Sequence, residues 1–173
     1  MDFRIEHTLS HSVDKVFDAY RDRLPDLVPF LAEIEAIEVL DRKEEGGKTR
    51  IKNRWQACSS TVPAIARPFM PEKALWWIDH ALWDPKARTC EWRYEINVLP
   101  GAVSCGGVNY FHERPGGGSR FEITGKLELD LRKLHVPFLF RGAGPKIEQW
   151  LVGRIRPNLE AVGGAVEKWL SQQ

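Results

Sequence analysis

A chain of 173 residues with 25 basic and 24 acidic side chains, a formal net charge of +1, fits one domain with room for a real core and carries no electrostatic footprint for nucleic acid. No apolar run nears the roughly 20 residues a bilayer span needs, and Met1-Asp2-Phe3-Arg4 leads straight into alternating sequence without a signal-peptide core, so a soluble, cytoplasmic protein is expected. Cys58, Cys90 and Cys105 are odd in number and lack metal-ligand spacing, which favours thiols in a reducing compartment over disulfides or a zinc site.

Residues 3–9 alternate, with Phe3, Ile5, His7 and Leu9 on one side and Arg4, Glu6 and Thr8 on the other, the signature of a half-buried strand. Ser12 can cap a helix whose apolar face is Val13, Val16, Phe17 and Tyr20, with Asp14 at the positive end of the dipole. A second helical piece is expected near residues 25–31, where Pro29 limits its regularity. Ile37 and Val39 then alternate with Glu38, the turn Glu45-Gly46-Gly47 follows, and Ile51, Asn53, Trp55 and Ala57 face away from Arg50, Lys52, Arg54 and Gln56. That pattern predicts a hairpin. The basic trio on its far face is a solvated surface or a docking patch for an acidic partner.

Between residues 58 and 72, Pro63, Pro68 and Pro71 forbid a continuous element while Val62, Ile65, Phe69 and Met70 keep the segment apolar. Strands resume at 75–83 and 89–98. The second sets Cys90, Trp92, Tyr94, Ile96 and Val98 on one face; the first is ambiguous, because Trp77, Asp79 and Ala81 compete with Trp76, Ile78, His80 and Leu82 for the inner side. A further pair spans 103–113 and 119–131 across Arg114-Pro115-Gly116-Gly117-Gly118, with Phe121, Ile123, Gly125, Leu127, Leu129 and Leu131 forming one face of the last strand. The chain closes on a helix over 145–170, about 39 Å long, whose stripe is Ile147, Leu151, Ile155, Leu159, Val162, Val166 and Leu170. Pro157 is expected to kink it. Gly163 and Gly164 each cost about 1 kcal/mol against Ala in a helix, so they imply close backbone approach or room left above a cavity.

Strand, two short helices, six strands and a long helix, joined by short turns, define an α+β protein: a curved antiparallel sheet of about seven strands around the C-terminal helix, with two short helices after the first strand. The opening strand, the run Ser12-Val13-Asp14-Lys15-Val16-Phe17, the turn Gly116-Gly117-Gly118-Ser119-Arg120 into Phe121, and Lys146-Ile147-Glu148-Gln149-Trp150-Leu151 at the head of the last helix carry a resemblance. The chain resembles the helix-grip fold of the START-like (SRPBCC) superfamily, which takes in polyketide cyclases, aromatases and pollen-allergen-like carriers. The likeness covers nearly all of residues 1–173 as one domain. It implies an elongated cavity between sheet and helix that takes lipids, sterols, polyketides or other apolar small molecules, and a length nearer the bacterial cyclase and carrier branch.

The residues expected to line such a cavity are His7, Asn53, Trp55, Trp77, Trp92, Tyr94, Tyr110, His112, Phe121, Leu151 and Ile155. Each has a structural reading beside the functional one. The aromatic residues enclose a ligand or fill the core; His7 and Asn53 contact ligand or satisfy backbone. Asp79, Tyr110 and His112 supply an acid, a phenol and an imidazole that meet in one pocket only if their faces agree. No phosphate loop, nucleophile elbow, two-histidine metal motif or dinucleotide fingerprint occurs, and no cofactor or metal is called for. The apolar runs 62–70 and 136–140 are expected to gate the cavity, to touch a membrane transiently, or to pack as secondary core. Three functions follow: a carrier or sensor of a hydrophobic small molecule, a cyclase or aromatase, and an interaction module with a filled core. Oligomeric state leaves no mark on the sequence.

Overall fold

The computed structural model describes residues 1–58, 75–97, 101–130 and 144–173, apart from the side chains of residues 144–148, 150–152 and 154. Strand β1 (Asp2–Leu9) leads to helix α1 (Val13–Asp22) and a 3-10 segment (Leu24–Phe30). Six strands follow: β2 (Ile34–Glu45), β3 (Lys48–Ala57), β4 (Trp76–Asp84), β5 (Thr89–Ile96), β6 (Val103–Glu113) and β7 (Ser119–Leu129). Helix α2 (Gly144–Leu170) completes the order read from the hydrophobic periods.

All seven strands join one antiparallel sheet in the order β1-β7-β6-β5-β4-β3-β2. From β2 to β7 each strand pairs with the next in sequence, as short turns require. Only β1 pairs across the length of the chain, with His7 opposite Phe121. The β6–β7 turn depends on Gly116, Gly117 and Gly118, whose φ angles of 85°, 105° and 78° side chains rarely adopt.

Because side chains alternate, the register sets inward-facing residues in rows across the sheet. Asn53, Asp79, Tyr94, Cys105 and Leu127 form one row, and Trp55, Trp77 and Ile96 the next. A third joins Thr49, Trp83, Cys90, Asn109 and Ile123. Asp79 is thus on the inner face and His80 on the outer one, which settles the ambiguity of β4. Helix α1 closes one end of the core, with Phe17 edge-on to Trp83 and Phe111, and Tyr20 edge-on to Trp83 and Phe121. Ser12 stands at its N-cap without a side-chain hydrogen bond, contrary to expectation; its carbonyl accepts from the Val16 N–H at 3.1 Å.

Strand β2 departs from simple alternation. Its register shifts between Ile34 and Ala36 and again between Val39 and Asp41, so Ile34 and Ile37 are buried while Val39, paired with Ile37 in the sequence reading, is exposed. A bulge rotates the strand and turns its later residues to solvent. Helix α2 runs through Pro157 and turns Leu159, Val162, Ala165 and Val166 onto the sheet. Of its adjacent glycines, Gly163 lies against the His7 ring, where a Cβ would meet Cγ of His7 at 2.2 Å, and Gly164 has nothing within 4 Å of a Cβ. The paired glycines therefore have different causes: one makes room for an imidazole, the other faces open space.

Candidate functional site

Between the sheet and α2 the described residues line a partly open cavity of about 30 Å³, room for roughly two water molecules. Trp55, Leu75, Trp77, Tyr94 and Ile96 line it from the sheet; Ile155, Asn158, Leu159 and Val162 line it from the helix. The sheet side is a continuous aromatic wall. Trp55 stacks on Trp77 with ring centroids 5.6 Å apart and planes 16° off parallel, as expected for large side chains directly opposite on antiparallel strands. Trp77 meets Tyr94 at 6.0 Å, Tyr94 meets Trp92 at 4.7 Å, and Trp92 meets Phe3 at 6.3 Å.

Polar side chains stand in the row beside this wall. The Asn53 Nδ2 donates to Asp79 Oδ2 over 3.4 Å, a long bond for a buried pair. Asp79 Oδ1, Asn53 Oδ1 and Asn109 Oδ1 are buried without a hydrogen-bond partner among the described residues, as are the indole nitrogens of Trp55, Trp77, Trp83 and Trp92. Burial pushes the Asp79 carboxyl up to about 7, against the smaller lowering effects of Asn53 and the nearby Trp55 indole. The Trp55 N–H comes close enough to favour the carboxylate but stops short of hydrogen-bond geometry. Burial and then the proximity of Asp79 raise the phenols of Tyr20 and Tyr94 well above their usual range, and the Cys90 thiol likewise.

Trp55, Trp77, Tyr94 and Ile155 line the cavity, and Asn53 lies one row behind it. Trp92 extends the wall along β5. Phe121 is enclosed by Phe111, Tyr20 and His7 and belongs to the packed core. His7 stacks on Phe121 at 5.7 Å, next to Gly163. Burial lowers its pKa, opposed by the Leu159 carbonyl and by Glu160, and its Nε2 is buried without a partner among the described residues. The Leu151 side chain and the apolar runs 62–70 and 136–140 lie outside the described residues.

Tyr110 and His112 require a correction. They stack on each other on the outer face, 6.2 Å apart, opposite Glu122 and Arg120. Cys105, Asn109 and Phe111 are the buried residues of β6, so the period of two sends Tyr110 and His112 outward. Asp79 therefore faces Tyr94 rather than Tyr110, and among the described residues no histidine joins it. Asn109 and Asn158 were not singled out from the sequence. Asn109 is legible as the residue two before Phe111, and Asn158 as a break in the apolar stripe between Ile155 and Val162. Among the described residues no group of three His, Cys, Asp or Glu side chains is placed to hold a metal ion, and no helix is long and apolar enough to cross a membrane.

The family described as "Protein of unknown function (DUF2505)" matches residues 4–170. No curated protein matches the sequence. Among solved structures, the Zhui aromatase/cyclase from Streptomyces sp. R1128 is similar at a TM-score of 0.69 and 16% identity, over 99% of this chain and 95% of that one. Ara h 8.0201 is similar at 0.60 and 15% identity, over 100% and 99% of the two chains. A START superfamily protein from Mycobacterium smegmatis is similar at 0.55 and 13% identity, over 99% and 97%. The fold is the helix-grip fold that these proteins share.

Proposed function

The chain belongs to the DUF2505 family, and we propose that it binds a hydrophobic, ring-containing small molecule between the inner sheet face and α2, as a carrier or sensor. The observation that carries this reading is the aromatic wall of Trp55, Trp77 and Tyr94 facing Ile155, Leu159 and Val162 across a residual cavity. A core built for stability alone closes such a gap, because lost packing is costly. Rigid rings on one side and flexible aliphatic side chains on the other suit a flat ligand that lies on the wall and displaces the helix side. Pockets that take a ligand of ordinary size measure about 300 Å³ or more, so binding moves Ile155 and Leu159 away from the rings. The similarity to an aromatase/cyclase and to a START superfamily protein supports a ligand-binding fold.

A polyketide aromatase or cyclase activity is the second reading, favoured by one observation: Asp79 is buried beside the aromatic wall with a pKa of about 7, where a carboxyl exchanges protons near neutral pH. Titration with N-phenyl-1-naphthylamine, followed by tryptophan quenching and probe emission, tests the binding reading. Saturable binding is expected, weakened at least tenfold in Leu159→Trp, whose indole fills the cavity. A parent protein that leaves the probe's emission unchanged overturns it.

A further inference from the structure

We propose that the Asn53–Asp79 pair anchors the hydroxyl of an aromatic ligand, so that the molecule bound on the Trp55–Trp77 wall is a phenol or a similar hydroxylated ring. This rests on the binding reading above and specifies the ligand's polar group. Asn53 and Asp79 face each other across β3 and β4, 3% and 7% exposed. Each is two residues from a cavity-lining tryptophan on its own strand, and Tyr94, which also lines the cavity, stands opposite Asp79 on β5. The pair is therefore bordered by the cavity's lining along both strands and across the sheet.

Their hydrogen-bonding capacity is underused in a way that selects a partner. Asp79 has two oxygens, and among the described residues only Oδ2 accepts a bond, the 3.4 Å contact from Asn53. Asp79 Oδ1 and Asn53 Oδ1 remain as buried acceptors, and Trp55 Nε1 and Trp77 Nε1 as buried donors. Buried polar groups are ordinarily paired, and a carboxyl held by one long bond weakens a core that Leu or Val at the same position would strengthen. A ligand hydroxyl meets both deficits, since its O–H donates to a carboxyl or carboxamide oxygen while its lone pairs accept from an indole N–H. Against the carboxylate form of Asp79, a ketone or an ether accepts only, and leaves the two oxygens without a donor. The aromatic rings around the pair demand a flat apolar body for the rest of the molecule. Tyr94 and Trp77, tilted 44° to one another, are the rings that flank it on the sheet side.

The carboxyl's ionisation supports the same assignment. It is governed by burial, by Asn53 and by Trp55, and an added O–H donor favours the carboxylate, so the ligand stabilises the form that the apolar surroundings penalise.

Two probes that differ only in the O–H decide the matter on the full chain: 2-naphthol and 2-methoxynaphthalene, titrated by calorimetry. The parent is expected to bind 2-naphthol at least tenfold more tightly. Asp79→Leu, checked for an unchanged circular dichroism spectrum, should bring the preference below twofold while 2-methoxynaphthalene binds as before. Asn53→Leu should lower the preference as well, and it serves as the variant if Asp79→Leu does not fold. Equal affinities in the parent overturn the anchor while leaving the aromatic pocket standing, as does a preference that survives in either variant. Failure of both probes to bind overturns the pocket reading and the anchor together.

Discussion

Asp79 is a carboxyl set in an apolar face, and its consequence for the folded chain depends on pH. In the unfolded chain it ionises near 3.8, whereas burial raises the folded value to about 7. Between those values the folded state holds a proton that the unfolded state has released. The stabilisation is complete below 3.8 and is lost progressively as pH rises through 7, by roughly 4 kcal/mol in all. Asp79→Asn has no such proton to lose. Urea unfolding of both proteins at pH 4 and pH 8 is expected to show the variant gaining on its parent by about 3 to 4 kcal/mol between the two conditions. An equal difference at both pH values would show that the carboxyl ionises normally in the fold. The alternating residues around Asp79 leave it either side of β4, and its burial became visible only once Asn53 and Tyr94 stood opposite it.

At the scale of the element, α2 shows how one helix serves two demands. Its stripe was legible in the sequence because apolar residues recur at steps of three and four, and Leu159, Val162 and Val166 are buried as that period requires. The two glycines are a different matter. Gly163→Ala places a Cβ 2.2 Å from Cγ of His7, and it is expected to destabilise the protein by about 1 to 3 kcal/mol as the ring or the helix shifts. Gly164→Ala meets nothing and should stabilise by up to about 1 kcal/mol through helix propensity alone. Adding His7→Ala to Gly163→Ala should recover part of the loss. Thermal melts of the four proteins measure the contrast, and equal effects at the two glycines would refute the packing account. Helical periodicity identifies the side chains a helix buries. It carries no information on which residue of a distant strand presses on its backbone.

Across the whole molecule, stability is distributed unevenly by the topology. Strands β4 to β7 each have a neighbour on both sides, while β2 is an edge whose residues 38–45 are exposed and whose register is shifted twice. Backbone groups there open without exposing core, so amides of the β2–β3 tip are expected to exchange fastest within the sheet and those of β5 and β6 only on global unfolding. Hydrogen exchange followed by mass spectrometry checks this, and uniform protection across the sheet would contradict it. The same topology explains how the candidate site is built. The cavity's lining comes from β3, β4, β5 and α2, elements separated by up to about a hundred residues, and the aromatic wall exists because the register sets Trp55 against Trp77 and brings Tyr94 beside them.

The amino-acid sequence by itself determined the order of elements, the antiparallel sheet, the helix that covers it and the apolar inner face of β3, β5 and β7. These follow from the period of burial along a chain and from turn residues, which are local properties. The tertiary structure alone decided that Asp79 points inward, that Tyr110 and His112 point outward, that β2 turns Val39 to solvent, and that Gly163 yields to His7. A period of two fixes two faces without naming which is inner when both are apolar, and a bulge or a close approach is made by a partner strand or helix far away in the chain.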